Sequence, residues 1–339
     1  MKLVFVFGGS GFIGTNLVGY LLKKKFKVFN IDNQSYSSVP EKFKFYKNDK
    51  NYFFKKIDML DQEKVEKIIF KHKPDYIFNL AALSHVDRSI DNPKGTIVNN
   101  IISTLNLLEV LKKAKNKKKI KRVIHLSTDE VYGDVKSKSM EKDILLPSSP
   151  YSSSKACCDQ IIHSYVKTFE LPIIIIRACN NFGPYQFPEK FIPTIILNLL
   201  EKKKIPIYGD GKQKREWIYV NDFCQIITKF LSSGKIGQIY NVGSGNKLNN
   251  YLLAKYIFEI MFKKNNFKNF KECIKYVQDR PAHDKNYSLD IEKTKKILGK
   301  IEKKDFKINL LSTVKWYNQN KFWIKFTKKK ILWKKTRNS

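Results

Sequence analysis

At 339 residues, 42% of them hydrophobic, the chain is long enough to bury a sizeable core and too apolar to be mostly disordered. Its formal net charge of +34 comes almost entirely from lysines spread along the sequence, and only six residues are arginine, so a dedicated nucleic-acid surface is not expected. No apolar run reaches the length of a membrane span, no signal peptide is recognisable and the cysteines show no CxxC spacing. We therefore expect a cytoplasmic protein without a disulfide framework or a metal site.

Apolar segments alternate with amphipathic ones through the first half of the chain. The apolar segments predict strands at Leu3–Phe7, Lys27–Ile31, Phe53–Ile57, Tyr76–Ala81, Val123–Ser127 and Ile173–Arg177. Apolar residues at helical spacing predict helices at Gly11–Lys24, Asp61–Lys71, Pro93–Lys115 and Ser152–Glu170. Near-continuous apolar strands separated by helices are typical of a buried parallel sheet. The predicted fold class is therefore α/β, with a doubly wound, Rossmann-type parallel sheet.

The pattern changes after Asn181, where a loop rich in glycine, proline and aromatic residues begins. A helix at Phe191–Lys202 and strands at Ile205–Tyr208, Trp217–Val220 and Gln238–Val242 are predicted beyond it. We expect the last of these strands to return to the main sheet, which would interleave the two lobes. The predicted organisation is a dinucleotide-binding domain at 1–181, a smaller α/β substrate lobe at 182–323 and a basic tail at 324–339. Within that tail, Lys325–Arg337 lies beyond the last clear helical pattern and is predicted to be solvated.

A glycine-rich loop follows the first strand and opens the first helix. Gly8, Gly11 and Gly14 let the backbone turn tightly and approach a pyrophosphate at the helix N-terminus. Asp32 ends the second predicted strand, where a carboxylate accepts both ribose hydroxyls of NAD and repels the extra phosphate of NADP. Asp58 ends the third predicted strand and is a candidate partner for the adenine amino group. The sequence therefore predicts an NAD site.

Tyr151 and Lys155 stand four residues apart, so one face of a helix presents a phenol and an ammonium together. A positive charge at Lys155 is expected to lower the pKa of Tyr151, and Thr128 is placed to hold the same substrate oxygen. A phenolate there would accept the proton of a sugar hydroxyl while a hydride moves to NAD.

Asp129 and Glu130 stand side by side at the predicted end of the fifth strand. Hydride transfer alone does not need them, whereas eliminating water beside a new ketone needs a base for the acidified C–H and an acid for the leaving hydroxyl. Two carboxyl groups divide those roles when their environments push their pKa values apart. The alternative is that the doublet only caps a loop, and the presence of the other motifs disfavours it.

Several longer segments together resemble the dTDP-glucose 4,6-dehydratases of the extended short-chain dehydrogenase/reductase superfamily. These segments are Ala81–Ile90, Ser127–Gly133, Asn180–Lys190, Tyr208–Gly211, Arg215–Trp217 and Asp279–Asp284. The resemblance implies a hydro-lyase with a retained NAD. In that cycle Tyr151 is the base for oxidation at C4, Glu130 takes the C5 proton, Asp129 protonates the departing C6 hydroxyl, and the hydride returns to C6.

The resemblance also implies two sets of binding residues and a homodimer that forms through the helices at Pro93–Lys115 and Ser152–Glu170. The cofactor set is Gly8, Gly11, Phe12, Ile13, Gly14, Asp32, Asn33, Gln34, Ser35, Asp58, Met59, Leu80, Ala81, Ala82, Ser84, Asn99, Tyr151, Lys155 and Asn181. The sugar-nucleotide set is Ser84, Thr128, Asn180, Glu189, Lys190, Phe191, Pro206, Tyr208, Arg215, Asn250, Arg280 and His283.

Three residues depart from the family pattern: Phe7 replaces a usual Thr, Leu83 a common Glu and Glu216 a common Asp. None belongs to the proposed catalytic set.

A 4-epimerase or decarboxylase on the same scaffold would share the glycine loop, Tyr151 and Lys155 without needing the acidic doublet. A UDP- or CDP-glucose 4,6-dehydratase also stays open, because these motifs do not reveal the base pocket. A basic RNA-binding protein that retains an inactive Rossmann core is the alternative from another functional class.

Overall fold

A computed structural model describes residues 1–115, 120–264, 266–299 and 305–335 of the chain. Within them the strands are β1 (Leu3–Phe7), β2 (Lys27–Asp32), β3 (Tyr52–Lys56), β4 (Tyr76–Asn79), β5 (Arg122–Thr128), β6 (Ile173–Ala178), β7 (Asn180–Phe182), β8 (Ile205–Tyr208), β9 (Lys214–Tyr219), β10 (Ile239–Val242), β11 (Lys247–Asn249) and β12 (Ile274–Val277). Seven of these form one parallel sheet in the order β10-β6-β5-β4-β1-β2-β3. The predicted doubly wound α/β sheet is confirmed, and β10 joins its edge beside β6.

The helices of the described residues are α1 (Phe12–Lys23), α2 (Gln62–His72), α3 (Val86–Asp91), α4 (Pro93–Ala114), α5 (Pro150–Phe169), α6 (Phe191–Leu200), α7 (Val220–Lys229), α8 (Asn250–Met261), α9 (Phe270–Cys273), α10 (Glu292–Leu298), α11 (Phe306–Gln319) and α12 (Lys321–Lys335). Short 3-10 turns lie at Glu41–Phe43, Asp129–Tyr132 and Phe262–Lys264. No described helix combines the length with the apolar character needed to cross a bilayer.

The main sheet separates two apolar cores because successive side chains of a strand point to opposite faces. Val4 and Val6 of β1 join a core with residues of α1 and α7, while Phe5 and Phe7 join a core with residues of α2, α4 and α5. All four side chains are fully buried. Burial on both faces explains why β1 has no polar residue, and it places helices on both sides of the sheet.

A third core lies in the second half of the chain, among α6, α8, α11 and α12. Small sheets lie beside it: β11 pairs antiparallel with β9, β9 pairs parallel with β7, and β12 pairs parallel with β8. The predicted strand Trp217–Val220 is shifted in the structure, because β9 ends at Tyr219 and Val220 begins α7. The predicted Tyr76–Ala81 strand is also too long, since β4 ends at Asn79.

Most of the basic segment Lys325–Arg337, predicted to be a solvated tail, is helical in the structure, and Arg337 lies outside the described residues. α12 runs from Lys321 to Lys335, and Trp323 and Thr327 on its inner side are 2% and 1% exposed. The ring of Phe326 packs against Phe43, with 5.4 Å between centroids. The sequence prediction was wrong here because apolar residues at helical spacing are interrupted by lysines, whose stems also cover apolar surface.

Candidate active site

A cavity of about 470 Å³ lies at the carboxyl ends of the main-sheet strands and continues toward the second lobe. In a parallel α/β sheet this edge is where ligands bind, because the loops that follow the strands diverge there. One part of its wall is formed by the glycine-rich loop after β1, and the opposite part by residues after β7 and in the 279–287 segment. The cavity therefore brings together residues of both predicted binding sets.

The glycine-rich loop has the close backbone packing that a dinucleotide needs. Gly8 has φ +76, and a Cβ on Gly14 would lie 2.2 Å from the carbonyl oxygen of Gly8, so neither position tolerates a side chain. Asp32 is buried and accepts hydrogen bonds from the backbone N–H groups of Ser10 and Gln34 at 3.0 and 2.7 Å. The Ser38 hydroxyl also donates to Asp32 at 2.9 Å, so about one of the four lone-pair sites of the carboxylate stays open for a ribose hydroxyl. These residues fit NAD.

Most of the predicted cofactor set lines this cavity. Its lining members are Gly8, Gly11, Phe12, Ile13, Gly14, Asp32, Asn33, Ser35, Asp58, Met59, Leu80, Ala81, Ala82, Ser84, Asn99, Tyr151, Lys155 and Asn181. Gln34 is the exception: it does not line the wall, and its amide Nε2 donates instead to Ser10 Oγ at 3.0 Å. Gln34 thus supports the loop from behind.

Tyr151 and Lys155 are positioned by the start of α5. Ser149 caps this helix: its hydroxyl accepts from the N–H of Ser152, and the Ser152 hydroxyl accepts from the N–H of Ser149, at 3.1 and 3.0 Å. Pro150 occupies the first helical turn, where its missing N–H costs nothing. Both functional side chains are 8% exposed or less and face the cavity one turn apart.

The electrostatics of this pair differ from the sequence prediction. Burial raises the pKa of Tyr151 above its ordinary value, the charges of Glu130 and Asp129 raise it further, and a hydrogen bond with Thr128 lowers it. Burial is the largest of these effects, and Lys155 Nζ lies 3.2 Å from His125 Nε2 in β5. The Tyr151 pKa is thus raised in the protein without its ligands, and the lowering expected from a charged Lys155 stays a prediction.

The acidic doublet follows β5 directly. Thr128 begins the turn by accepting a hydrogen bond from the N–H of Glu130 at 3.3 Å, and the two carboxyl groups then point different ways. Glu130 lines the cavity, whereas Asp129 is 2% exposed and is not part of the wall. Of the predicted catalytic residues, Thr128, Glu130, Tyr151 and Lys155 therefore share one cavity, and Asp129 lies behind it.

Both carboxyl groups hold their protons more tightly than usual. Burial raises the pKa of Asp129 well above its ordinary value, and the neighbouring charges of Glu130 and Glu216 add to it. Burial also raises the pKa of Glu130, but Arg280, Arg215 and Lys190 oppose the rise. Burial thus raises both pKa values, and the cations that oppose the rise at Glu130 push the two apart in the direction that acid and base roles require.

Asp129→Asn is expected to stabilise the protein in the absence of substrate at about pH 8. A raised folded-state pKa means that stability is complete below the unfolded-state pKa and falls as pH rises through the folded value, so wild type loses stability toward alkaline pH. The free energy of unfolding of Asp129→Asn should exceed that of wild type by about 1 kcal/mol or more at this pH. Urea unfolding across the pH range measures it.

The gain should shrink as the pH falls toward 4, where both states of Asp129 approach full protonation. Asp91 is exposed and ends α3, so Asp91→Asn is the matched control for losing one negative charge. A gain in Asp129→Asn that is independent of pH, or one equalled by the control, would show that Asp129 is not held protonated.

The far end of the cavity is rich in cations. Arg215 is 4% exposed, and its guanidinium lies 4.1 Å from the ring centroid of Tyr287 while donating to the carbonyl of Asp284 at 2.8 Å. Lys190 Nζ donates to the carbonyl of Ser84 at 2.9 Å. With Arg280 on the same wall, these groups offer a diphosphate both bidentate and point-charge contacts.

Glu189 connects α3 and the loop after β2 to the segment before α6 through hydrogen bonds. Its Oε2 accepts from Arg88 Nε and Nη2 at 2.9 and 2.7 Å, and its Oε1 accepts from the Tyr36 hydroxyl at 2.6 Å. The Arg88 guanidinium also lies 4.0 Å from the ring centroid of Tyr36. This cluster fixes the loop after β2 against the segment before α6, and both segments line the cavity.

All of the predicted sugar-nucleotide residues line the cavity: Ser84, Thr128, Asn180, Glu189, Lys190, Phe191, Pro206, Tyr208, Arg215, Asn250, Arg280 and His283. Sequence reasoning missed others that also line it, among them Tyr36, Asp87 and Tyr287. Tyr36 follows Asp32 within the loop after β2, which was a usable signal. Nothing in the sequence pattern pointed to Tyr287, whose contact with Arg215 arises only from the fold. The described residues contain no cluster suited to a metal ion.

Comparison with known proteins agrees with this geometry. Residues 5–310 match the family model described as GDP-mannose 4,6 dehydratase. The chain is 38% identical to a dTDP-glucose 4,6-dehydratase of Escherichia coli, over 94% of each chain. The chain belongs to the dTDP-glucose 4,6-dehydratase family. The resemblance first seen in separate segments therefore extends over nearly the whole sequence.

Solved structures of dTDP-glucose 4,6-dehydratases have the same fold. One from Bacillus anthracis, in complex with NAD, is 37% identical with a TM-score of 0.86 and covers 95% of this chain and 98% of that one. Another from Streptomyces venezuelae, with NAD and TYD bound, is 35% identical with a TM-score of 0.88 and the same coverage.

Leu83 is one of the residues that depart from the dTDP-glucose 4,6-dehydratase pattern. Its backbone N–H donates to Asn100 Oδ1 at 2.8 Å, and this contact does not depend on the side chain.

Proposed function

We propose that this protein converts dTDP-glucose to dTDP-4-keto-6-deoxyglucose, as an NAD-dependent hydro-lyase. The observation that carries the proposal is the acidic doublet beside Tyr151, with Glu130 on the cavity wall and Asp129 buried behind it, where burial raises its pKa. An enzyme that only exchanged a hydride at C4 would have no use for this pair. The proposal also rests on the full-length similarity to dTDP-glucose 4,6-dehydratases.

Tyr151 begins the cycle as the base for the C4 hydroxyl. Its oxygen takes the hydroxyl proton, with Thr128 hydrogen-bonded beside it and Lys155 one helical turn away. A bound NAD would supply the hydride acceptor for C4 and the hydride donor for C6, and its positive ring would favour the Tyr151 phenolate. The binding set that lines the glycine-loop end of the cavity is proposed to hold it.

Glu130 and Asp129 then remove water across C5 and C6. The C4 ketone acidifies the C5 hydrogen, and the Glu130 carboxylate takes that proton from the cavity wall. Asp129 gives its proton to the C6 hydroxyl, which leaves as water. Because the Asp129 side chain lies behind the wall, it has to turn toward the sugar to do so. Glu130 returns a proton to C5 when the hydride reaches C6, which completes the 4-keto-6-deoxy sugar. The cations Arg215, Arg280 and Lys190 are proposed to bind the nucleotide diphosphate.

We also propose a cytoplasmic homodimer that forms through α4 and α5. Val98 and Ile102 of α4 are 47% and 38% exposed, which leaves apolar surface on this helix for a second copy. All five cysteines are free, as is usual in a reducing compartment. The division into a dinucleotide domain at 1–181 and a substrate lobe at 182–323 remains part of this proposal.

The proposed function is tested by product analysis. The protein is incubated separately with dTDP-, UDP- and CDP-glucose, and the sugar nucleotides are separated and weighed by mass spectrometry. We expect dTDP-glucose to lose one water and to give the alkali-induced absorbance of a 4-keto product, without net consumption of NAD. Turnover of UDP- or CDP-glucose in preference would assign a different nucleotide. A product of unchanged mass with inverted C4 would instead identify a 4-epimerase.

A further inference from the structure

Three buried side chains lie in a row behind the active-site wall, and the proposed mechanism leaves two of them without a role. Asn79 ends β4, His125 is its register partner in β5, and Lys155 lies in α5. Asn79 Nδ2 is 3.1 Å from His125 Nδ1, and Lys155 Nζ is 3.2 Å from His125 Nε2. None of the three is more than 3% exposed.

The hydrogens on these groups restrict how the row can bond. A charged Lys155 has only hydrogens to donate, so it needs a lone pair on His125 Nε2. A neutral ring with that lone pair carries its hydrogen on Nδ1, and Asn79 must then present its oxygen. As placed, Asn79 Oδ1 is buried and finds no partner among the described residues. Rotating the carboxamide, whose two ends have nearly the same shape, gives this oxygen the Nδ1–H as its partner.

The opposite arrangement has a different consequence for Lys155. If Asn79 donates from Nδ2 to Nδ1, the ring hydrogen is forced onto Nε2, and Lys155 can only accept it as a neutral amine. Burial and the charge of Lys155 keep the pKa of His125 well below its ordinary value, so the ring stays neutral in both arrangements. The orientation of Asn79 and the charge of Lys155 are therefore linked through one tautomer.

Other groups facing Lys155 do not replace this contact. Cys158 and Asp159 lie on the same helix and favour the charged form of Lys155. Asp159 is paired with Arg177 at 2.9 Å, and Cys158 Sγ lies 3.3 Å from Thr104 Oγ1. Toward the cavity, Tyr151 is faced by Glu130 and Asp129. Among the described residues, His125 Nε2 is the acceptor that the structure places beside Lys155 Nζ.

We propose that His125 is a positioning residue whose Nε2 accepts a hydrogen bond from the Lys155 ammonium, with Asn79 Oδ1 fixing the Nδ1–H tautomer. Lys155 thereby stays charged and in place to favour ionisation of Tyr151. This inference rests on the proposed function only in taking Tyr151 as the base. Burial alone would lower the pKa of Lys155, so a buried neutral acceptor is the compensation that the charged form needs.

The tautomer is measured without substrate, on the full chain labelled with ¹⁵N-histidine. Comparison with the spectrum of His125→Gln assigns the His125 ring. We expect a protonated Nδ1 and an unprotonated Nε2 from about pH 6 to pH 9, with no second proton taken up. A hydrogen on Nε2, or a ring that titrates in this range, overturns the proposal. Because no turnover is involved, this result does not depend on which sugar nucleotide is the substrate.

The role is measured by the pH dependence of kcat/KM. His125→Leu removes the acceptor, so the rising acid-side limb should move up by about one to two pH units, as expected for losing a hydrogen bond to a charged group. His125→Gln places an amide oxygen near the Nε2 position and should restore most of the shift. His72 packs on Phe29 with 4.6 Å between centroids, away from this row, and His72→Gln should leave the profile unchanged.

An unshifted limb in His125→Leu, with only stability reduced, would show a merely structural role and overturn the proposal. If His125→Leu does not fold, Asn79→Leu takes its place. That variant removes the acceptor for Nδ1–H and should move the limb in the same direction by a smaller amount, whereas an unmoved limb overturns the proposal. Failure of wild type to form a 4-keto product would count against the proposed function and leave the tautomer result standing.

Discussion

Glu130→Gln is expected to lower the formation of dTDP-4-keto-6-deoxyglucose by about 10²–10⁴-fold, the usual contribution of a positioned base, while oxidation at C4 continues. The substitution keeps the size of the side chain and removes only its ability to take the C5 proton. Tyr151 lies on a different element and keeps its surroundings, except that the Glu130 charge is gone. That charge raises the pKa of Tyr151 in the wild type, so its removal does not hinder ionisation of Tyr151. Reduced nicotinamide should therefore build up on adding dTDP-glucose, and its absorbance is the measurement.

Deuterium exchange separates this step from the earlier one. In D₂O, wild type should incorporate solvent deuterium at C5 of the product, and Glu130→Gln should recover dTDP-glucose with no deuterium at C5. Tyr151→Phe is the matched comparison, since it should block oxidation and produce no reduced nicotinamide. Dehydration by Glu130→Gln at the wild-type rate would mean that another group is the base.

Arg177→Met is expected to lower the free energy of unfolding by about 3–5 kcal/mol. Arg177 in β6 and Asp159 in α5 form an ion pair with 2.9 Å between Nε and Oδ2, and their side chains are 2% and 1% exposed. The guanidinium also donates to the Tyr132 hydroxyl at 2.9 Å, next to the turn that carries the acidic doublet. Methionine fills part of the space and leaves Asp159 as an unpaired buried carboxylate. Urea unfolding at neutral pH measures the loss.

The control for this prediction removes both charges. Arg177→Met combined with Asp159→Leu leaves no unpaired ion, so the double variant should be more stable than the single one. If the single variant is as stable as the double, the pair is not what holds α5 against β6. Because Asp159 lies one turn after Lys155, the single variant should also lose activity by displacing the start of this helix.

The main sheet was predictable because most of its strands are buried and contain a run of apolar residues, as β1, β4 and β6 do. β1 was predicted with its observed bounds, and the others shift by one or two residues where pairing, rather than composition, ends the strand. β7, β11 and β12 were missed, because strands of three or four residues have no readable period and form only where a partner is supplied by the fold.

The site was predictable where chemistry and spacing coincide in a motif, as in the glycine loop and the Tyr151–Lys155 pair. The direction of a side chain was not, as Asp129 shows by lying behind the wall while Glu130 lines it. His125 looked like one more residue of a buried strand, since a period of two says which face a side chain takes but not what it meets there. Its contacts depend on the order of β4, β5 and α5, which only the fold supplies.

The packing of α12 on Phe43 affects the order in which the protein is completed during synthesis. Phe43 lies just beyond the loop that holds Asp32 and Ser38, and its partner Phe326 emerges from the ribosome only after both apolar cores of the main sheet have been translated. The nascent chain can thus build its sheet early, whereas the contact between Phe43 and Phe326 forms late. Because Phe326 lies within α12, truncation before this helix should leave Phe43 without its ring contact.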